Sequence, residues 1–202
     1  MQNKIKVLHV VPTLKRDGAE VQLSKIFKQF KYVEVELFTF DIYEEGDSII
    51  DSLEGTKVTS ARRFLGIFYL YKFIKKNDFK LVHSHLPKSD ILVGIINKLN
   101  RRFSHIVSVH AQYGTREGEN KFKYNLTNFL WKYILNRSEG VIAISEKIKS
   151  WLILNKGIDN KKIEVIHYGV EIKKRNKKNM MDNSIGMAAR MLPWKGWDKV
   201  IQ

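Results

Sequence analysis

The feature that most limits what this chain can fold into is an alternation. Short apolar runs without strict polar alternation alternate with longer segments of helical periodicity. The runs read as strands at Ile5–Val11, Val33–Phe40, Leu81–Ser84, Ile106–His110, Gly140–Ile144 and Ile163–His167. The helical segments are Gly18–Phe30, Arg62–Asn77, Pro87–Asn100, Lys121–Asn136 and Ser145–Lys156. Strands that are apolar on both sides need cover on both faces, and intervening helices supply it. The pattern therefore predicts an α/β fold, a Rossmann-like parallel sheet with helices on both faces. Ligands of such a sheet bind beyond the carboxyl ends of its strands. Thr13 to Glu20, His83 and His85, His110 to Gly114, and Ser145 all lie at or just after the ends of strands, which gathers them at one edge.

Punctuation divides the chain in three. Residues 1–170 carry the alternating pattern, and from Glu171 to Ser184 it collapses into Lys173-Lys-Arg-Asn-Lys-Lys178 and a polar tail, a solvated linker. Residues 185–202 then read as a new apolar strand, a loop holding Arg190 and Lys195, and the start of a helix. Within the first part, Asp17 and Glu20 have the spacing of a capping box, and Ser145 stands where it can cap its helix. The stretch Asp41–Glu54 holds six acidic residues and reads as a surface loop with a short helix.

Composition enters as exclusions. There is no cysteine, so no disulfide scaffold and no thiolate metal site. The N-terminal apolar stretch is too short for a signal peptide and is interrupted by His9 and Pro12. The longest strongly apolar run, Phe64 to Tyr71, is too short to span a bilayer. A net charge of +15 calls for nucleic acid, anionic lipid or phosphorylated ligands as the counter-charge, or reflects compositional bias alone. No basic-aromatic recognition motif accompanies it, so nucleic acid is not an expected partner.

Individual residues each admit a plain reading and a functional one. Gly18 at a helix start lets backbone approach a phosphate or sugar, or simply follows a cap. His83 and His85 share one face of a strand, and His110 could complete a metal trio. A buried histidine and a residue leading into a helix before Pro87 is the plain alternative, and no metal is expected. Arg190, Lys195 and Gly196 before a helix start have the chemistry of a diphosphate site: fixed guanidinium, mobile ammonium and a glycine for close approach. The segment Arg62–Lys76 has aromatic and aliphatic residues all round and basic residues at both ends. It suits a buried helix or one that touches an anionic membrane.

Five stretches in order resemble family 4 glycosyltransferases, retaining enzymes of the GT-B fold. They are Asp17-Gly18-Ala19-Glu20, where the family usually has Gly-Gly-x-Glu, His83-Ser84-His85, and Ile106-Val-Ser-Val-His110-Ala. Val141-Ile-Ala-Ile-Ser145, with Ile163 to Val170, follows, and Tyr168 stands there in place of the family's Asn. Ile185 to Gly196 closes the set. The resemblance implies the acceptor-side domain in residues 1–170 and the beginning of the donor-side domain in 185–202. It implies transfer of a sugar from a nucleotide-diphosphate sugar to a glycan or lipid-linked acceptor, with the donor as substrate and no cofactor. His110 would act at the reacting sugar, and Gly18, Arg190 and Lys195 would hold the donor diphosphate. Glu20, His85 and Ser145 would line the acceptor side. The leaving diphosphate would take the acceptor's proton, so no protein base is required. A cytoplasmic protein, peripheral at the inner face of the membrane, is the matching expectation. So is a donor domain cut short after eighteen residues, leaving little or no transfer by this chain alone. The rival reading is a non-catalytic acceptor- or lipid-binding half that pairs with a separate polypeptide.

Overall fold

A computed structural model of the chain describes residues 4–41, 47–61, 65–100, 102–114, 120–170, 186–189 and 195–201. The chain falls into two units, Met1–Gly169 and Val170–Gln202. The linker 171–184 and Arg190 lie outside the described residues.

The first unit runs β1 (Ile5–Val11), α1 (Gly18–Phe27), β2 (Val33–Thr39), β3 (Lys57–Ser60), α2 (Gly66–Asn77), β4 (Leu81–His85), α3 (Pro87–Asn100), β5 (Ser104–Val109), α4 (Lys121–Arg137), β6 (Gly140–Ala143), α5 (Glu146–Lys156) and β7 (Ile163–Val165). All neighbouring strands are parallel, in the order β3-β2-β1-β4-β5-β6-β7. The α/β expectation holds, with one strand more than the six expected. β3 reads Lys-Val-Thr-Ser and carries a single large apolar residue, so hydrophobic patterning does not reveal it. At the sheet edge it needs only backbone pairing to β2, and Lys57 adds an ion pair to the buried Glu36 at 3.2 Å. Helix α1 also stops at Phe27, short of the expected Phe30, and β7 stops at Val165, before His167.

Alternation along the strands sends side chains to two different layers. Leu8, Val10, Phe38 and Val82 pack under Leu70 and Ile74 of α2 and Val93 and Ile96 of α3. Val107, Val109, Val141 and Ala143 continue that layer against Trp131 and Leu135 of α4 and Ile148 and Leu152 of α5. Full burial of one such side chain contributes about 1.5–3 kcal/mol. On the opposite face Leu23 and Phe27 of α1 join Val11, Leu37 and a short 3-10 turn, Ile50–Leu53. Helices thus stand on both faces, α1 on one and α2 to α5 on the other. Right-handed crossovers require this when the chain winds from β1 outward to β2 and β3, then from β4 outward to β7.

Helix ends follow local chemistry. Ser145 caps α5 by accepting from the Ile148 amide at 3.3 Å, and Gly157 ends that helix at φ +61°. Asn120 caps α4 by accepting from Phe122 and Lys123. The expected capping box at α1 is not formed as written, because Asp17 sits at the cap position yet its side chain makes no capping hydrogen bond. Among the described residues, no helix is long and apolar enough to cross a membrane. In the second unit, α6 (Trp197–Ile201) begins just after Gly196, whose φ is +74°.

Candidate functional site

The sheet order makes β1 and β4 neighbours whose connections leave in opposite directions. In an open parallel sheet the crevice opens at such a switch point, beyond the carboxyl ends of the strands. Three histidines occupy it. His9 on β1 is paired in register with His83 on β4, so both side chains, and that of His85 two residues on, share the α1 face. His9 and His85 are buried, and His9 rests edge-on against Phe27 of α1, with ring centroids 4.7 Å apart.

The imidazoles are joined end to end. His9 Nδ1 and His85 Nε2 are 2.9 Å apart, and His85 Nδ1 and His110 Nε2 are 3.0 Å apart. His110 Nδ1 meets the Tyr168 hydroxyl. The His9 and His85 ring planes lie within 11°, with centroids 5.2 Å apart, so the nitrogens point at each other along one line. A neutral imidazole has one N–H and one lone pair, so the hydrogen bonds all run in one direction. Either Tyr168 donates to His110, His110 to His85 and His85 to His9, or every step is reversed. His83 stands beside this chain, its Nε2 2.8 Å from Ser108 Oγ.

Burial keeps these rings neutral. It lowers the His9 pKa to about 3 and the His110 pKa to about 4. His83 and His85 are held well below the ordinary imidazole value, first by burial and then by the other histidines around them. Burial also raises Tyr168 to about 12, with the Glu20 carboxylate adding to the effect, so its phenol stays neutral. Glu20, buried in the first turn of α1, is itself raised by burial, against the opposing pull of its own backbone amide, with Asp17 pushing it further up. The charge of Glu20 acts on both Tyr168 and Tyr113, which ties the α1 N-terminus to the ends of β5 and β7.

His85 and His110 are therefore brought into direct contact, and Glu20 into electrostatic reach of the same cluster. Gly18 opens α1, is exposed, and an added Cβ would meet nothing within 4 Å. Its lack of a side chain serves no packing need and leaves the helix N-terminus open to approach. Ser145 follows β6 at the same edge, but its hydroxyl is engaged as the α5 cap. Lys195 is exposed in the second unit, and its diphosphate role remains an expectation, as does that of Arg190.

Two residues of the chain were not singled out from sequence. His9 is the lone polar residue inside Val-Leu-His-Val-Val, and that interruption was the available signal. Tyr168 was noted only as a replacement for Asn. The histidines that lie close in space also differ from the expected trio. His9, His83 and His85 bring ring nitrogens within 4.8 Å of one another, and His110 joins through His85. Because His9 and His85 aim nitrogen at nitrogen, they do not both aim at a common point where an ion would sit.

Across the sheet a second polar group anchors the helices. Ser84 donates to Asp90 of α3 at 2.7 Å and lies 2.8 Å from His105 Nε2, while Trp131 of α4 donates to the other Asp90 oxygen at 2.7 Å. Burial raises Asp90 to about 7 against the two donors that hold it down. Leu86, directly after β4, adopts φ +73°, an uncommon conformation for a residue with a side chain, as the chain turns into α3 at Pro87. The turn seats His85 on one face and Asp90 beneath the other.

Comparison with known proteins bears on this arrangement. Residues 14–174 match the family model of Glycosyltransferase Family 4. An uncharacterised glycosyltransferase of Methanocaldococcus jannaschii is 28% identical over 197 residues, covering 91% of this chain and 52% of that protein. A second from the same organism is 26% identical over 195 residues, covering 87% and 47%. The chain spans about half the length of the curated relatives it matches. Among solved structures, Anabaena HepE in complex with UDP-glucose aligns with a TM-score of 0.65 at 16% identity, over 83% of this chain and 44% of that one. The lipopolysaccharide outer core galactosyltransferase WaaB aligns with a TM-score of 0.61 at 18% identity, over 84% and 47%. At such identities the structural likeness is one of fold. The family match is of another kind, since it runs through more than half of the chain, from the loop after β1 past the end of β7, and takes in the whole imidazole chain but His9: this chain belongs to Glycosyltransferase Family 4.

Proposed function

We propose that this chain forms the acceptor-side part of a retaining glycosyltransferase that uses a nucleotide-diphosphate sugar. The observation that carries the reading is the chain of neutral imidazoles, His9 to His85 to His110, at the switch point of the sheet. Hydroxyl-rich ligands are recognised by neutral donors and acceptors fixed in orientation, and two hydrogen-bonded rings behind His110 fix it. The exposed start of α1 at Gly18 presents amides to a phosphate or sugar oxygen close by. HepE was crystallised with UDP and with UDP-glucose, which supports a nucleotide sugar as donor here. A glycan or lipid-linked acceptor and an anionic membrane surface complete the reading, as in cell-surface polysaccharide assembly.

In this mechanism the departing diphosphate gathers negative charge as the glycosidic bond breaks. Arg190 and Lys195 would meet that charge, and His110 would hold a sugar hydroxyl or a phosphate oxygen by one hydrogen bond. The activity is proposed for the whole protein, and the test is release of nucleoside diphosphate from nucleotide sugars in the presence of glycan acceptors. Arg190→Ala and Lys195→Ala should each lower kcat by roughly a hundredfold or more, as loss of one preorganised charge-stabilising donor does. His110→Ala should cost less, about tenfold, since one neutral hydrogen bond is removed. Unchanged turnover in the Arg190 and Lys195 variants would remove the diphosphate assignment.

A further inference from the structure

An enclosed polar atom without a partner is uncommon in a folded chain, and each one calls for a physical account. The Tyr113 hydroxyl is such an atom. It follows His110 in the loop after β5, is shut off from solvent, and has no hydrogen-bond partner among the described residues. The rest of the residue is firmly held. Its ring meets Trp131 edge-on, with centroids 5.3 Å apart and planes at 87°, and Trp131 is pinned in turn to Asp90. The ring packs on the core layer of β5, β6, α4 and α5, and the Tyr113 carbonyl accepts the Tyr124 hydroxyl of α4 at 3.3 Å. A phenylalanine would make the same ring contacts. Packing therefore does not account for the hydroxyl, and leaving it unpaired costs stability.

Its surroundings show what it faces. Burial raises the Tyr113 pKa, and the charges of Asp90, Tyr168 and Glu20 add to the rise, against the pull of the His110 amide. The phenol thus keeps its proton and can both donate and accept. Of the groups that reach it, Tyr168, Glu20 and His110 belong to the crevice. The Tyr168 hydroxyl is already bound to His110 Nδ1, so one hydroxyl group sits between the imidazole and the reach of Tyr113.

We propose that Tyr113 is a specificity-determining binding residue: its phenol and His110 Nδ1 together hold one hydroxyl of the transferred sugar, in the place that the Tyr168 hydroxyl fills in the free chain. The Tyr168 phenol is then a stand-in for the ligand, and its displacement opens the way to Tyr113. A fixed ring with a free hydroxyl suits this task, because the group is oriented before the ligand arrives and gains the partner that the fold withholds. A sugar lacking that hydroxyl leaves the phenol unpaired once more, and is disfavoured for that reason. The proposal rests on the transferase reading and deepens it by naming a residue that selects the sugar.

The test compares the whole protein with its Tyr113→Phe variant, following release of UDP from UDP-glucose and from its monodeoxy sugar analogues. Tyr113→Phe should lower kcat/KM for UDP-glucose roughly tenfold, chiefly through KM, as loss of one ground-state hydrogen bond does. One analogue should lose a similar factor in the parent and be used equally well by parent and variant. The variant should melt at the parent's Tm or above it, since the atom removed has no partner to lose. A lower Tm with an unchanged order of preference among the analogues would make the hydroxyl structural and overturn the proposal. Equal kcat/KM for parent and variant on every donor would overturn it too, with the transferase reading intact. If the parent releases no UDP from any of these donors, the transferase reading falls and this proposal falls with it.

Discussion

Both ring nitrogens of His110 are occupied, by His85 and by Tyr168, so a sugar hydroxyl that bonds this imidazole displaces one of them. Tyr168 is the partner nearer the chain's domain boundary and the one with a half-buried side chain. Tyr168→Phe should therefore keep the fold, changing stability by about 1 kcal/mol or less. It should also hold or strengthen binding of a sugar ligand in a titration, because the competing hydroxyl is gone. Weaker binding would mean that the phenol itself contacts the ligand. His85 is different, since it is fully enclosed and joins two rings. His85→Phe keeps a ring of similar shape but orphans His9 Nδ1 and His110 Nε2, and chemical denaturation should show a loss of about 2 kcal/mol or more.

Elements meet at places where a single atom decides the fit. Gly94 of α3 faces Ile134 of α4, and a Cβ at that position would lie 2.5 Å from Ile134 Cγ2. Gly94→Ala gains helix propensity yet drives the two helices apart, and a net loss of about 1–3 kcal/mol is expected in thermal or denaturant unfolding. Trp131→Phe takes the indole N–H from the buried Asp90 and leaves a carboxyl oxygen without its donor, at a cost of about 2 kcal/mol. That loss should shrink when Asp90→Asn is present in the same chain, which a double-mutant cycle measures. These helices were legible as helices from apolar periodicity and end signals, and Ser145 as a cap from its position alone. The α3–α4 seam was not, because Gly94 reads in sequence as a mild helix weakener and only Ile134 across the interface shows why a side chain is excluded.

For the molecule as a whole, five imidazoles, three buried and two half-buried, set the response to acid. His9, His83, His85, His105 and His110 have folded pKa values below the ordinary 6.5. Below that pH the unfolded chain takes up protons that the folded chain refuses, so stability is flat above it and falls from about pH 6.5 toward pH 4. Asp90 works in the opposite sense. Its folded pKa of about 7 exceeds the ordinary 3.8, so it adds stability at low pH that is lost as pH rises between those values. With five groups against one, the net expectation is acid destabilisation by several kcal/mol, a pKa unit being worth about 1.4 kcal/mol. Thermal unfolding at pH 7.5 and pH 5 checks it, and a higher Tm at pH 5 would reverse the assignment of neutral rings.

The layer architecture is legible before folding, because short doubly apolar strands between amphipathic helices have few ways to bury both faces. Five motifs in order also point to the family, and the strand ends within the first unit mark the edge at which His85, His110 and Ser145 lie. Three things came only from the tertiary structure. His9 and His85 are 76 residues apart, and parallel pairing of β1 with β4 is what aligns them. Strand β3 exists because β2 offers it an edge, with hardly any apolar content of its own. On α4 Phe122, Leu126 and Phe129 stay exposed while Trp131, Ile134 and Leu135 are buried, a division periodicity does not reveal, since apolar residues on both sides of a helix cancel in the pattern. Which side is core is settled only by where Trp131 finds Asp90. Local periodicity reports that a residue seeks burial, and only long-range packing decides whether the fold grants it.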